Sequence, residues 1–284
     1  MPTSPTRLDH VERVGLCFDV RDEGPLDGEP IVLLHGLPQR SSSWDGVVPL
    51  LHAAGHRTFA LDQRGYSPRA RPRRRRDYTL DHLVGDVIAL VEAVGRPAHV
   101  VGHDWGAAVA WLMAARRPDL VRSLVALSVP HPGAMAHAAT HVTHRAEQLR
   151  RSWYMALFML PLLPERVLPS RRGEAALRAG GMTEEMVATY RRQVVADGAL
   201  PGALAWYRAI PFTAPSARHE RVAVPTTMVW SDGDVAIARS TAELSRRWVD
   251  APYDFVELSG VSHWIPDEAP RDVADLVLAR IQGA

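Results

Sequence analysis

Short, mostly apolar runs alternate with amphipathic stretches along the first half of the chain. Residues 31–34, 57–61, 98–101 and 121–129 are such runs, and they predict strands that are buried on both faces of a sheet. The stretch Leu80–Val94 repeats its apolar residues at helical spacing, which predicts an amphipathic helix. Because strands and helices alternate in this order, the sequence predicts an α/β fold with a mainly parallel sheet.

Two further elements are predicted near the N-terminus. Loose alternation over residues 14–20 predicts an antiparallel strand, and residues 43–54 predict a helix. This helix lies between the strand patterns at 31–34 and 57–61, so it supplies the crossover that two parallel strands require.

The alternation of strands and helices stops after residue 130. The chain then has helical stretches divided by prolines and glycines, without a buried-strand pattern. Strand patterns return at residues 226–230 and 253–258, and a final helix follows. We interpret residues 1–130 and 223–284 as one core domain, and residues 131–222 as a helical cap inserted into it.

Composition and charge limit the kinds of molecule that the protein is expected to bind. The chain has 284 residues, 46% of them hydrophobic, and its net charge of +1 provides no strong field to attract nucleic acid. We interpret the arginine-rich residues 71–76 as a solvated loop. Cys17 is the single cysteine, which excludes an internal disulfide. Residues 1–10 lack a signal-peptide core and no apolar span reaches membrane length, so we expect a cytoplasmic protein without stable membrane insertion.

The strand pattern at 98–101 continues into Gly102-His103-Asp104-Trp105-Gly106 and then into a helical pattern. This strand, turn and helix resemble the nucleophile elbow of α/β hydrolases, with Asp104 at the turn position. Serine is usual there. A carboxylate is already ionised at neutral pH and suits attack on a saturated carbon, which forms an alkyl ester. The sequence therefore indicates nucleophilic catalysis by Asp104.

In α/β hydrolases the nucleophile is followed along the chain by an acid and then by a histidine. Asp234 lies four residues after the strand pattern at 226–230, and we choose it over Asp232, which we expect to form the turn. His263 lies in a glycine-containing loop after the last strand pattern. We predict that His263, oriented by Asp234, activates water to hydrolyse the ester on Asp104.

Several motifs together resemble the epoxide hydrolases of the α/β-hydrolase fold, and the similarity covers essentially the whole chain. They are His35-Gly36-Leu37-Pro38, the elbow at Asp104, the acid Asp234, and Ser262-His263-Trp264. The resemblance implies a mainly parallel eight-stranded sheet with a helical cap. It also implies that the backbone N–H groups of Leu37 and Trp105 form an oxyanion hole. We expect the Leu37-Pro38 bond to be cis.

The epoxide hydrolases also carry two cap tyrosines that hold the epoxide oxygen. Trp153-Tyr154 and Trp206-Tyr207-Arg208 match these motifs and imply that Tyr154 and Tyr207 have this role. Opening a three-membered ether leaves an alkoxide, and a phenol with a pKa of about 10 is still protonated at neutral pH and able to donate a proton to it. The implied product is a vicinal diol. The partners are then a small apolar epoxide and water, with no metal and no organic cofactor, and the protein is a monomer or a homodimer.

Further contacts with the substrate are expected from Trp105, Phe158, Met159 and Trp264. Met159 stands before the cap proline where relatives often have glutamine, a change that removes a polar contact near the epoxide ring. This part of the cap is strongly apolar, and its apolar residues Met155, Phe158, Leu160, Leu162 and Leu163 have two interpretations. They either line a pocket for a lipophilic substrate or pack the cap against the core.

Two other functions fit parts of the pattern. Haloalkane dehalogenases also use an aspartate elbow, and Trp105 matches a halide donor in them, but they carry asparagine where Leu37 stands. A departing halide needs N–H donors instead of a proton, so the two tyrosines favour an epoxide. The other alternative is a ligand-binding protein on a hydrolase scaffold without catalysis, against which the complete set of Asp104, Asp234 and His263 argues.

Overall fold

The computed structural model of the protein describes residues 6–284. The first five residues, which belong to the stretch 1–10 considered for a signal peptide, lie outside the described residues. The strands are β1 (His10–Arg13), β2 (Leu16–Glu23), β3 (Glu29–Leu34), β4 (His56–Leu61), β5 (Ala98–His103), β6 (Val121–Leu127), β7 (Thr226–Gly233) and β8 (Tyr253–Ser262).

Within the described part of the chain, these eight strands form one sheet in the order β1-β2-β4-β3-β5-β6-β7-β8. The pairs β1/β2 and β2/β4 are antiparallel, and the pairs from β4 to β8 are parallel. The predicted mainly parallel eight-stranded sheet is confirmed. Its parallel strands all present their carboxyl ends at one edge, where ligands bind in folds of this class.

Helices cover both faces of the sheet. The helices are α1 (Val48–Ala53), α2 (Leu80–Val94), α3 (Trp105–Arg116), α4 (Pro132–Thr140), α5 (Val142–Arg151), α6 (Trp153–Met159), α7 (Leu163–Val167), α8 (Arg171–Ala179), α9 (Glu184–Tyr190), α10 (Leu200–Ala209), α11 (Arg239–Glu243), α12 (Ile265–Glu268) and α13 (Pro270–Gln282). Among the described residues, none of these helices is long and apolar enough to cross a membrane.

The alternation of side chains along β3 divides the core into two layers. Val32 and Leu34 pack with α2 and α3, whereas Ile31 and Leu33 pack with α1 and α13. All four side chains are fully buried. A strand buried on both faces has no polar side to mark its periodicity, which is why it appears in the sequence as a continuous apolar run.

Helices α4 to α10 lie between β6 and β7, within residues 131–222, and none of the eight strands falls there. We call this part the cap segment. It approaches the core closely where Gly202 of α10 meets Gly65, and a Cβ at Gly202 would lie 2.6 Å from the Gly65 Cα. Nearby, the indole N–H of Trp206 donates to the Arg64 carbonyl at 2.8 Å. A single Cβ here would force the two backbones apart.

The predicted strand at residues 14–20 was wrong in its extent. The chain forms a hairpin of β1 and β2, with Val14 and Gly15 at its tip and backbone φ values of +48° and +75°. Two successive residues of positive φ are what a two-residue hairpin turn requires. Valine rarely adopts this conformation, so the sequence did not mark the turn.

Other boundaries also differ from the sequence predictions. The predicted helix 43–54 is a 3-10 turn at Ser41–Trp44 followed by the shorter α1. Strands β7 and β8 each extend beyond the predicted ends, because they remain paired as far as Gly233 and Ser262. By contrast, α2 has the predicted bounds and ends at Gly95, whose φ of +80° is the usual left-handed cap.

Candidate active site

Asp104 sits in a strained turn between β5 and α3. Its φ of +52° and ψ of −121° lie outside the ordinary regions for an L-residue. A Cβ at Gly102 would overlap the carbonyl of Gly106, and a Cβ at Gly106 would overlap the carbonyl of Leu34. Both flanking glycines are therefore needed for the strand and helix to approach closely enough to hold this turn. The Asp104 side chain is held at the carboxyl edge of the sheet and is 5% exposed.

The loop after β3 contacts the Asp104 carboxylate. The backbone N–H of Leu37 donates to Asp104 Oδ1 at 2.8 Å. Gly36 lies so close that a Cβ there would overlap the Asp104 side chain. The Leu37-Pro38 bond is cis, as the sequence analysis expected. The backbone N–H of Trp105 also acts on the carboxylate, so both N–H groups predicted for an oxyanion hole approach Asp104.

His263 lies between two carboxylates. Its Nε2 is 3.6 Å from Asp104 Oδ2, and its Nδ1 is 3.0 Å from Asp234 Oδ2. The other oxygen of Asp234 accepts the backbone N–H groups of Ala236 and Ile237 at 2.7 and 2.9 Å. All three ionisable side chains are buried. Because β7 and β8 are neighbours, their ends bring Asp234 and His263 together although they are 29 residues apart.

Burial and charge compete in setting the ionisation of these three groups. Burial favours neutral histidine, but the negative charges of Asp234 and Asp104 outweigh it and raise the pKa of His263 to about 10. Burial alone would raise the pKa of both aspartates, yet their hydrogen bonds and charge interactions with His263 lower the pKa of each below its ordinary value. The resting site thus holds an imidazolium between two carboxylates.

Ser128 is a site residue that the sequence analysis missed. Its hydroxyl donates to Asp234 Oδ2 at 2.6 Å and lies 3.0 Å from His263 Nδ1. The N–H at Nδ1 can therefore donate to Ser128 Oγ as well as to Asp234 Oδ2. It is fully buried, and its φ is +67°. The predicted strand 121–129 included this residue, whereas β6 ends at Leu127. Ser128 directly follows a strand end, where site residues of this fold lie. A strand prediction that ended at Leu127 would have pointed to it.

Two other histidines near the elbow are buried and support the backbone. His103 Nε2–H donates to the His263 carbonyl at 2.8 Å. The Nε2 of His35 accepts the Gln63 N–H at 3.1 Å. Burial lowers the pKa of each to about 4, so both are neutral at pH 7. These contacts give both histidines a structural role in holding the backbone near Asp104.

The cap segment brings the two predicted tyrosines to the site. Tyr154 lies on α6 and Tyr207 on α10, and their ring centroids are 6.2 Å apart. The ring of Tyr207 packs edge-on against Trp105, the residue after Asp104, at 5.0 Å. Burial, followed by nearby negative charge that includes Asp104, raises the pKa of both tyrosines. Both phenols therefore keep their protons at neutral pH.

Comparison with known proteins relates this geometry to a family. The chain matches the α/β hydrolase fold family over residues 29–270. It is 35% identical over 273 residues to the AB hydrolase superfamily protein YfhM of Bacillus subtilis, which covers 93% of this chain and 94% of that protein. It is 31% identical over 265 residues to Epoxide hydrolase 2 of Caenorhabditis elegans, which covers 88% of this chain and 73% of that protein. The chain belongs to the epoxide hydrolase family of α/β hydrolases.

The solved structures of this family extend the likeness to three dimensions. An epoxide hydrolase found in metagenomes from hot environments has a TM-score of 0.81 and 28% sequence identity, and the match covers 98% of this chain and 99% of that one. The match includes both the sheet and the cap segment. The protein therefore has the α/β-hydrolase fold that the sequence predicted, and it is a hydrolase.

Of the residues predicted to contact substrate, some lie beside the tyrosines and His263, and one lies at the surface. Phe158 packs between the two tyrosine rings, at 5.3 Å from Tyr154 and 5.1 Å from Tyr207. Trp264 packs edge-on against His263 at 5.0 Å. Met159 is 40% exposed and lies at the surface, so the structure does not bring it to Asp104 with the others. The helical repeat explains this, since consecutive residues of α6 face in different directions.

A cleft of about 560 Å³ lies between the loop after β3 and the cap segment, beside the buried site. Pro38, Met182, Tyr190 and Asp267 are among the residues that line it, whereas Asp104 and the two tyrosines are not.

Proposed function

We propose that the protein hydrolyses a small apolar epoxide to a vicinal diol through an ester on Asp104. The observation that carries this proposal is a buried carboxylate in an elbow with a histidine beside it, where Tyr207 of the cap segment packs against Trp105, the next residue, and Tyr154 lies beside Tyr207. Residues 131–222 then act as the cap, over a core of residues 1–130 and 223–284. The names of the relatives and solved structures support an epoxide as the substrate.

The first step is displacement at carbon. Asp104 Oδ1 is held by the Leu37 N–H, which leaves Oδ2 to attack an epoxide carbon. The C–O bond of the ring breaks, its electron pair stays on oxygen, and a proton from Tyr154 or Tyr207 neutralises that oxygen. The second phenol shares the developing charge by a hydrogen bond. The result is a neutral ester on Asp104 and a free hydroxyl on the substrate.

The ester changes the charge that surrounds His263. Its Nε2 no longer faces a carboxylate at 3.6 Å, so the pKa of His263 falls and the ring can lose its proton. That proton returns to the phenolate, and neutral His263 then takes one from a water that attacks the ester carbonyl carbon. Asp234 holds the imidazole by its Nδ1–H and stabilises the charge that forms on it.

The oxyanion forms where donors are already in place. After attack by Oδ2, the ester carbonyl oxygen is Oδ1, which lies 2.8 Å from the Leu37 N–H and near the Trp105 N–H. These backbone donors do not move when charge develops. The Cγ–Oδ2 bond then breaks and His263 gives its proton to the departing oxygen, which releases the diol. The remaining carboxyl proton passes to His263, which restores the imidazolium and a carboxylate with one oxygen from water.

Single turnover in heavy-oxygen water tests the ester. Label is expected in the Asp104 carboxylate, located by mass spectrometry of the digested protein. Label that enters the diol directly, with none in Asp104, would overturn the covalent step. Halide release from haloalkanes, with no turnover of styrene-oxide-type epoxides, would favour the dehalogenase alternative instead.

The double substitution Tyr154→Phe with Tyr207→Phe tests the proton donors. Loss of general acid catalysis is expected to lower kcat on epoxides by about 10³-fold or more. The matched control is Tyr253→Phe, which removes a phenol hydroxyl without a hydrogen-bond partner at the first residue of β8, the end of the strand opposite His263. Full activity in the double variant would remove both tyrosines from the mechanism.

A further inference from the structure

The cap segment exposes a continuous apolar run that neither interpretation of the sequence explains. Residues 159–163, Met-Leu-Pro-Leu-Leu, are all exposed where α6 ends and α7 begins. Leu160 is 46% exposed, Leu162 67% and Leu163 44%. They neither line the buried site nor pack the cap onto the core. A run of this length at a surface costs solubility and is characteristic of an interaction site. We call residues 159–163 the apolar ridge.

Four exposed arginines lie where a loop leads into the turn Arg75–Tyr78. They are residues 73–76, which we call the arginine run. The Arg76 guanidinium lies over the ring of Phe212, at 5.0 Å from its centroid, and Phe212 is itself 45% exposed. The arginine run was interpreted from the sequence as a plain solvated loop. In the structure it adjoins exposed apolar side chains.

Helix α10 packs against the turn Arg75–Tyr78 at the end of the arginine run, and its Arg208 contacts the apolar ridge. The guanidinium of Arg208 donates to the Leu160 carbonyl at 2.6 Å and pairs with Glu165 of α7 at 2.5 Å. Burial raises the pKa of Glu165, but the hydrogen bond from Arg208 and the more distant charge of Arg75 lower it below its usual value. Arg75 is thus near the first turn of α7, which begins at Leu163. One surface therefore combines exposed leucines with an excess of positive charge.

We propose that the apolar ridge and the arginine run dock the protein reversibly on an anionic lipid bilayer. A bilayer offers negative headgroups directly above an apolar layer, which complements arginines beside leucines. A second copy of the chain is a poorer match, because a two-fold interface sets this patch against itself and brings two positively charged patches together. A nucleic acid would neutralise the arginines but would leave the leucines in water.

Docking in this way would place helix α6 at the lipid surface. Helix α6 carries Tyr154 and continues directly into the apolar ridge. If the proposed function holds, an apolar epoxide dissolved in the bilayer would reach the cap without crossing water. The docking itself does not depend on that function.

Flotation of the full chain with vesicles tests the proposal. Binding is expected to phosphatidylcholine vesicles that contain phosphatidylglycerol, to be weak on phosphatidylcholine alone, and to fall at high salt. Each arginine near an anionic surface contributes roughly fivefold to partitioning, so Arg74→Gln with Arg75→Gln should reduce binding by about 25-fold. Leu162→Ser with Leu163→Ser should reduce it by about tenfold or more.

Matched controls remove the same groups elsewhere. Arg150→Gln with Arg271→Gln removes two exposed arginines from α5 and α13, and Leu26→Ser with Leu149→Ser removes two exposed leucines. Both control proteins should bind vesicles within about twofold of the parent. All four variants should retain the parent's turnover of a water-soluble epoxide without lipid. Absent turnover in the parent would contradict the proposed function and leave vesicle binding unaffected.

Three results would overturn the docking proposal. The first is no flotation of the parent protein with anionic vesicles. The second is an equal loss of binding in the control variants. The third is a dimer in analytical ultracentrifugation that Leu162→Ser with Leu163→Ser dissociates while vesicle binding is absent, which would make the surface an interface between two copies.

Discussion

Replacement of Asp104 by asparagine should change the ionisation of His263. The carboxylate oxygen of Asp104 lies 3.6 Å from His263 Nε2, and both side chains are buried. Asparagine has nearly the same shape but no charge. It therefore reproduces the electrostatic state of the esterified enzyme, in which the same carboxyl group is neutral. The variant isolates the effect that we propose turns His263 from an acid into a base.

The size of the change follows from the distance. A unit charge at 3.6 Å acts on His263 with about 4 to 5 kcal/mol at an effective dielectric constant near 20, which is roughly three pKa units. The pKa of His263 is about 10 in the resting protein. Asp104→Asn should bring it to about 7, where the ring loses its proton at physiological pH. Asp234 still raises it above the value that burial alone would set.

NMR titration of the histidine rings measures this change. The signal of His263 is assigned by its absence in a His263→Gln variant, and its pKa is compared in the parent and in Asp104→Asn. Asp232→Asn is the control, since this carboxylate is exposed and accepts the Gly260 N–H instead of contacting His263. A shift below about one pKa unit in Asp104→Asn would refute the charge switch, because the distance requires more.

Substitutions at Ser128 and Gly202 test two contacts that hold the site in place. Ser128→Ala should lower the free energy of unfolding by about 1.5 to 3 kcal/mol, because a buried hydrogen bond to a charged carboxylate is lost. Ser128→Gly should cost about 1 kcal/mol less, since glycine relieves the φ of +67°; equal losses in urea unfolding would contradict this. Gly202→Ala should cost about 1 to 3 kcal/mol and lower activity, because its Cβ meets Gly65 at 2.6 Å. Gly180→Ala, whose nearest atom is 3.4 Å away, should change little in the same urea unfolding, and a similar loss in both glycine variants would contradict the close cap contact.

Features that depend on a local pattern of residues could be predicted from the sequence. The parallel sheet follows from alternating apolar runs and helices, and α2 was predicted to the residue because its apolar face and its terminal glycine are both local signals. The elbow was recognisable because Gly102 and Gly106 mark a backbone that tolerates no Cβ. The predicted nucleophile, acid and histidine lie together because each follows the end of a parallel strand, and those ends meet at one edge.

The contacts, exposure and ionisation of side chains depend on residues that are distant in the chain, so they became known only from the folded structure. Ser128 reaches Asp234 because β6 ends before it, and strand ends depend on pairing with another strand. The leucines of residues 160–163 face solvent, although apolarity alone is equally compatible with a lining or a core position. The ionisation of His263 likewise arises from two carboxylates brought to it by separate strands. Local patterns specify elements, whereas exposure, charge and contact are set only when those elements pack.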